Sequence, residues 1–323
     1  MNKALARALV WFRRDLRTDD HAALYHALRA ARQVWCVFVF DRDILDALPR
    51  QDRRVEFIRD SLLGLDAQLR ALATSHGVEG AGLVVCHGHA VERIAALASQ
   101  LAVEAVFINH DDDPAALARD AQARGALADM GVALHSSKDH VVFERSEVLT
   151  LAGNPYSVFT PYKNAWLKKA DDYFLKAYPV AHHAGALAPL PQAQTQTMPT
   201  LADIGFEPSN LHALKLPSGS AGALELLDDF LGERIDRYHE TRDFPSVKGP
   251  SYLSTHLRFG TVSIRHLARE AWHRRGSERG AEVWLSELIW RDFYHQILHH
   301  HPHVVGHAFR PEYERIKWEH GKQ

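Results

Sequence analysis

Five apolar runs of four to seven residues punctuate the first part of the chain: ALVWF (8–12), VWCVFVF (34–40), LVVC (83–86), EAVFIN (104–109) and VALH (132–135). Between them lie longer stretches in which Ala, Leu and Arg recur at helical spacing. Uninterrupted apolar runs alternating with amphipathic helices predict a parallel sheet wrapped by helices. After Trp11 and Phe12 the segment RRDLR leads to Thr18, Asp19 and Asp20, any of which is expected to cap a helix beginning near His21. No GxGxxG follows the first run, so the NAD-type phosphate cradle is missing. A nucleotide-like ligand still has room beyond the carboxyl ends of the strands.

From about 139 to 220 the periodicity fails. Pro155, Pro161, Pro179, Pro189, Pro191, Pro199, Pro208 and Pro217 punctuate a polar stretch rich in Ala and Gln, which reads as an inter-domain connector. Within it, FTPYKNAWLKKADDYF carries Phe159, Tyr162, Trp166, Tyr173 and Phe174, enough aromatic area to dock on a domain. From Ala221 onward the pattern is helical: ALELLDDFLGERIDRYHE, VSIRHLAREAWHRR and EVWLSELIWRDFYHQILHHH. The predicted architecture is an α/β protein: a five-stranded parallel, Rossmann-like domain over 1–138, a connector over 139–220, and the first part of an all-α domain over 221–323.

Composition adds bounds. With 46% hydrophobic and 24% charged residues in 323, the chain is globular and long enough for two cores. No apolar run approaches the roughly 20 residues that span a bilayer, and Met1 to Arg17 is charged throughout, so a cytoplasmic protein without a membrane partner is expected. Cys36 and Cys86 sit in strand-like apolar runs and read as buried small hydrophobes. The formal net charge of −2 conceals an asymmetry: from Arg234 onward fifteen Lys and Arg face eleven Asp and Glu, with half of the 22 histidines. A nucleic-acid surface, if one exists, belongs to this later part. The run His299-His300-His301-Pro302-His303 is not read as a metal site. Adjacent histidines on a helix diverge, and no cysteine or acidic set accompanies them.

Several stretches carry a resemblance. LVWFRRDLRTDDHAAL at the start, FTPYKNAWL in the connector, YHETRDFP (238–245), GPSYLSTHLRFGTVSIR (249–265) and WLSELIWRDFY (284–294) appear together in order and spacing. The chain is thereby similar to the photolyase/cryptochrome family, and resembles its class I cyclobutane pyrimidine dimer photolyases from about Ala8 to Trp318. Read by themselves, Ser251 and Ser254 are N-caps, Glu287 and Arg291 an i,i+4 surface ion pair, and Arg242 a partner of Asp243 or Glu240. Glu287, Trp290, Arg291 and Tyr294, at i, i+3, i+4 and i+7, are expected to share one helix face.

The resemblance implies FAD as cofactor, with Tyr238, Ser251, Leu253, Ser254, Trp284, Glu287, Arg291 and Tyr294 about it. It implies Glu287 and Trp290 as the catalytic pair, the first bonding the lesion bases and the second stacking on the extruded dimer. Arg242 would reach the DNA backbone, and Trp318 would stand at the exposed end of an electron-transfer chain. Pro250 stands where photolyases often carry Thr. An antenna chromophore, folate or deazaflavin, is implied against the α/β domain, although NHDDDP (109–114) departs from the folate-contact pattern. The implied reaction is light-driven repair of pyrimidine dimers in damaged DNA by a monomer without metal, the damaged bases being extruded from the duplex. A cryptochrome-like blue-light photoreceptor and a non-catalytic fragment retaining the α/β fold are the alternatives. Relatives continue past Lys322-Gln323 with helices that complete the flavin cavity, so this polypeptide is expected to bind FAD weakly or not at all and to repair nothing.

Overall fold

A computed structural model of the chain describes residues 3–191, 198–319 and 321. The five apolar runs form β1 (Leu5–Phe12), β2 (Ala31–Asp41), β3 (Leu83–Gly88), β4 (Ala105–Asn109) and β5 (Ala133–Ser137), in one sheet of order β3-β2-β1-β4-β5. Every pairing is parallel. Helices α1 (Ala22–Ala30), α2 (Arg42–Leu45), α3 (Arg53–Thr74), α4 (Ala90–Gln100) and α5 (Pro114–Ala128) connect the strands. Along β1, Ala8, Val10 and Phe12 join the core beneath α1 and α3, while Leu9 and Trp11 join the core beneath α4 and α5. Both faces are therefore dry, as continuous apolar runs require. Cys36 is buried, but Cys86, near the carboxyl end of β3, is only half-buried.

The expected cap of α1 is corrected. His21 caps it, its Nδ1 accepting from the Leu24 N–H at 3.0 Å. Asp20, at φ 47°, turns its carboxylate into the interior instead.

The stretch 139–220 packs on both cores in turn; its Gln-rich part, 192–197, lies outside the described residues. Val142, Phe143, Val148 and two aromatics of α6 (Phe159–Lys169), Tyr162 and Trp166, enter the core of the helical region. From Val180 the chain returns to the sheet: Val180, Leu187, Ile204, Phe206 and Leu211 cover it, and Leu187 bridges to Val34 of β2. The helical region comprises α7 (Gly219–Glu233), α8 (Tyr238–Thr241), α9 (Ser254–Phe259), α10 (Ile264–Arg274) and α11 (Arg279–His300). Among the described residues no helix is long and apolar enough to cross a membrane.

A buried polar seam joins the two regions. The Arg265 guanidinium, at the start of α10, bonds the Asp20 carboxylate at 3.0 Å and that of Asp139 at 2.8 Å. Arg17 bonds Asp139 at 2.7 Å and the Gly260 carbonyl at 3.1 Å. Ser263 donates its hydroxyl proton to Asp20, and the Leu16 N–H bonds the Phe259 carbonyl at 3.1 Å. Gly260 follows α9 at φ 64°, where a Cβ would collide with the Arg14 carbonyl; only glycine lets the β1 loop come this close. Burial alone would raise the Asp139 carboxyl, but Arg17 and Arg265 hold it well below the usual carboxylate range.

Candidate functional site

A cavity of about 380 Å³ lies between the α8–α9 segment, α11 and the loop after β1. Tyr238, Ser251, Leu253, Ser254, Trp284, Glu287 and Arg291 all line it, so residues spread over 54 positions of sequence converge. Local structure explains the convergence. Tyr238 opens α8, Leu253 is buried just before α9, and Tyr252 between them takes φ 58°, a left-handed turn that keeps Ser251 and Ser254 on the same cavity. Leu253, not a serine, occupies the N-cap position of α9, with no side-chain cap bond. Instead of capping, the Ser251 and Ser254 hydroxyls have no protein partner among the described residues and remain available to a ligand.

Of the face expected on α11, Glu287 and Arg291 reach the cavity. Trp284, Glu287, Leu288, Arg291 and His295 form the cavity face. Trp290 and Tyr294 fall to one side: Trp290 stacks on Phe159 of α6 at 3.6 Å, with rings within 8° of parallel, and Tyr294 covers it from the next turn at 5.4 Å. The Trp290 indole is thus stacked on Phe159, with Tyr294 beside it.

Asp292 explains the phase. It is buried and accepts from the Val142 N–H at 3.1 Å, the Phe143 N–H at 3.0 Å and the Trp166 indole N–H at 2.9 Å. These bonds fix the opposite side of α11 to the chain after the sheet. Burial raises the Asp292 carboxyl to about 6, although Trp166 and the two backbone donors favour the charged form. A group whose folded pKa is raised contributes stability that is complete below the ordinary carboxylate value of 3.8 and is lost as pH rises through about 6. The stability of wild type minus that of Asp292→Asn, from urea unfolding, is therefore expected to fall between pH 4 and pH 7. A difference that grows with pH would contradict the assignment.

The electrostatics of the cavity favour an anion. Arg291 and Glu287 do not pair. The Arg291 guanidinium bonds the carbonyls of His140 and, at 3.5 Å, Leu257, and no carboxylate lies within ion-pair distance among the described residues. Burial lowers Arg291 to about 10, which still leaves it charged at neutral pH. Arg258 is likewise lowered by burial and then by Arg14, and forms no ion pair among the described residues. Two cations without carboxylate partners and two free hydroxyls suit a diphosphate. Glu287, the one carboxylate on the wall, is bonded by Arg242. Arg242 also lies 3.5 Å from Asp243, whereas Glu240 pairs with Arg237 at 3.1 Å. Trp318 is 71% exposed on the tail and meets none of these groups. Arg14, Arg258 and His295 were not singled out by sequence, although Arg14 and Arg258 lie inside the RRDLR and HLRFG segments.

A second cavity, of about 170 Å³, opens at the carboxyl ends of β1 and β2. Trp11, Phe12, Phe38, Phe40 and Phe259 give it an aromatic lining, and Arg14 and Arg258 line both cavities. The NHDDDP strip is not part of it: Asp111 pairs with Arg14 at 3.1 Å and Asp112 with Arg145 at 3.3 Å. Among the described residues no group of three His, Cys, Asp or Glu side chains is arranged to hold a metal.

Residues 8–184 match the family model "DNA photolyase", and residues 284–323 match "FAD binding domain of DNA photolyase". The deoxyribodipyrimidine photo-lyase of Halobacterium salinarum is 34% identical over 96% of this chain. In structure the chain is similar to a bacterial class III photolyase from Agrobacterium tumefaciens, with a TM-score of 0.82 and 26% identity over 99% of this chain and 64% of the other. An archaeal photolyase from Sulfolobus tokodaii, described with two FAD molecules and a novel light-harvesting cofactor, gives a TM-score of 0.75 and 26% identity over 97% and 64%. The chain spans about 65% of the length of the photo-lyases it matches.

Proposed function

The chain belongs to the DNA photolyase family, and from that membership we propose that it serves light-driven repair of cyclobutane pyrimidine dimers in DNA, with FAD held in the larger cavity. The observation that carries the reading is the convergence of Tyr238, Ser251, Ser254, Trp284, Glu287 and Arg291 on one wall. When bound there, reduced FAD excited by blue or near-UV light would supply the electron for ring opening. The residues supply position, charge and dryness. Arg291 and Arg258 would neutralise the FAD diphosphate, Ser251 and Ser254 would donate hydroxyl protons to the diphosphate oxygens, and Trp284, Leu253 and Leu288 would exclude water.

Glu287 faces the extruded bases. It is held by Arg242, whose guanidinium stands outside the cavity wall where a DNA phosphate would approach. Trp290, with Tyr294 beside it at 5.4 Å, would meet the extruded dimer. A folate or deazaflavin takes the aromatic cavity at the ends of β1 and β2, separated from the flavin by Arg14 and Arg258. The protein acts as a cytoplasmic monomer, with its DNA surface in the helical region.

The reading is tested with FAD-loaded, chemically reduced protein and a thymine-dimer oligonucleotide under blue light. The sequence alone predicts no repair; because Tyr238, Ser251, Ser254, Trp284, Glu287 and Arg291 already line a cavity, monomer thymine is instead expected to appear, in the light only, and Glu287→Ala is expected to lower the yield about tenfold, the loss of one charge-assisted hydrogen bond. Flavin-loaded protein that leaves the dimer intact would contradict it.

A further inference from the structure

The carboxyl ends of β4 and β5 carry a constellation that the flavin reading leaves unused. His110 directly follows β4, Ser136 lies on β5, and Glu144 sits on the chain beyond the sheet. The two strands pair in parallel with Ile108 opposite Ser136, and the His110 N–H extends the pairing to the Ser137 carbonyl at 2.8 Å. This register sets the imidazole beside the serine. His110 Nε2 is 3.0 Å from Ser136 Oγ, and His110 Nδ1 is 2.9 and 3.0 Å from the two carboxylate oxygens of Glu144.

A carboxylate on Nδ1 requires the proton there, which leaves the Nε2 lone pair to accept from the serine hydroxyl. That is the tautomer a general base needs, and such triads are recognised by geometry and not by sequence order. Glu144 is well placed to hold it, with only 14% of its side chain exposed, while Ser136 faces solvent and is accessible. Arg145, next to Glu144, takes φ 51°, a left-handed conformation that is uncommon for a residue other than glycine.

A cavity of about 260 Å³ opens against His110 and Ser136. Ile108, Leu117 and Ala121 give it an apolar side and Arg124 and Arg145 a cationic one, while the two carboxylates that also line it are already paired, Asp111 with Arg14 at 3.1 Å and Asp120 with Arg13. Arg124 bonds the Leu134 carbonyl at 2.8 Å and Arg145 bonds Asp112 at 3.3 Å, each through one nitrogen. Their other N–H groups have no partner among the described residues. A small acyl group with a negative end matches both sides.

We propose that Ser136, His110 and Glu144 form a hydrolytic site for small esters whose acyl chain carries a carboxylate. The Ser136 oxygen bonds the ester carbonyl carbon as its proton passes to His110 Nε2. The bond to the alcohol oxygen then breaks, and that oxygen leaves with the proton from His110. Water adds to the acyl-serine, His110 takes its proton and returns it to Ser136, and the free acid departs; ester and water become acid and alcohol. Glu144 orients the ring. None of these three side chains lines either of the cavities assigned to pigments, so this site stands or falls apart from the flavin reading.

The test uses the full chain and a fluorophosphonate probe, which traps serines activated in this way, read by peptide mass spectrometry. Label is expected on Ser136, absent in Ser136→Ala, about 100-fold slower in His110→Gln, and unchanged in the neighbouring Ser137→Ala. The 4-nitrophenyl monoester of succinic acid is expected to be cleaved faster than 4-nitrophenyl acetate, with both rates lost in Ser136→Ala. No adduct at Ser136, or equal labelling in a His110→Gln protein whose circular dichroism matches wild type, would overturn the proposal.

Discussion

Replacing Arg265 by methionine is expected to lower the unfolding free energy by about 3–5 kcal/mol, the usual cost of removing one partner from a buried ionic cluster. The size follows from what is left behind. Methionine fills the space of the Arg stem, but among the described residues Asp20 loses its only cation and Asp139 keeps Arg17 alone. Both carboxylates are almost wholly inaccessible, with side chains 1% and 0% exposed, so water cannot replace the guanidinium. Arg265 also bonds the Asp20 carbonyl at 2.8 Å and lies over the Tyr178 ring. The substitution thus loosens three segments at once: the loop after β1, the chain after β5 and the start of α10. Urea unfolding followed by circular dichroism measures the loss. A change below about 1 kcal/mol would place the cluster among pairs that desolvation has already cancelled.

The five strands were legible because each is a short apolar run bounded by polar residues, and the parallel order followed from their alternation with helices. The seam was not. Asp20 sits in a polar TDD cluster where a cap is the ordinary reading, and it is groups far along the chain, the Tyr178 N–H, Ser263 and Arg265, that hold its carboxylate inward. That only Glu287 and Arg291 of the expected α11 face reach the cavity was not legible, for a related reason. Trp284, Leu285, Leu288, Ile289, Phe293 and Ile297 surround this helix with buried apolar side chains, so periodicity cannot say which side meets the core and which the cavity. Asp292 settles the phase, and the available signal was a lone carboxylate among those apolar residues. The membership of Tyr238, Ser251, Leu253, Ser254 and Trp284 in the cavity came from the motifs as a family resemblance; no periodicity in the chain foretold it. His110, Ser136 and Glu144 come together only through the β4–β5 register, which single-chain patterns do not reveal.

Arg291→Met is the variant with the largest expected effect on ligand binding. Arg291 is a partly buried cation that keeps its charge at neutral pH and, among the described residues, is hydrogen-bonded only to carbonyl oxygens, a state that a bound diphosphate would relieve. Hydrogen bonds to charged groups contribute about 1.5–3 kcal/mol, which converts to roughly 10–150-fold in affinity. A ligand without phosphates gains nothing from that charge. Riboflavin should therefore bind the variant and the wild type alike, whereas FAD should not. The cavity of about 380 Å³ is near the small end of ligand sites, so the wild-type affinity for FAD is expected to be modest. The decisive measurement is a fluorescence titration of FAD and of riboflavin into the purified chain and its Arg291→Met variant. Saturable binding of one FAD per chain, weakened at least tenfold by the substitution while riboflavin is unaffected, is the predicted result. Absence of saturable FAD binding, or equal FAD affinity in the two proteins, would contradict the assignment of this cavity to the flavin dinucleotide.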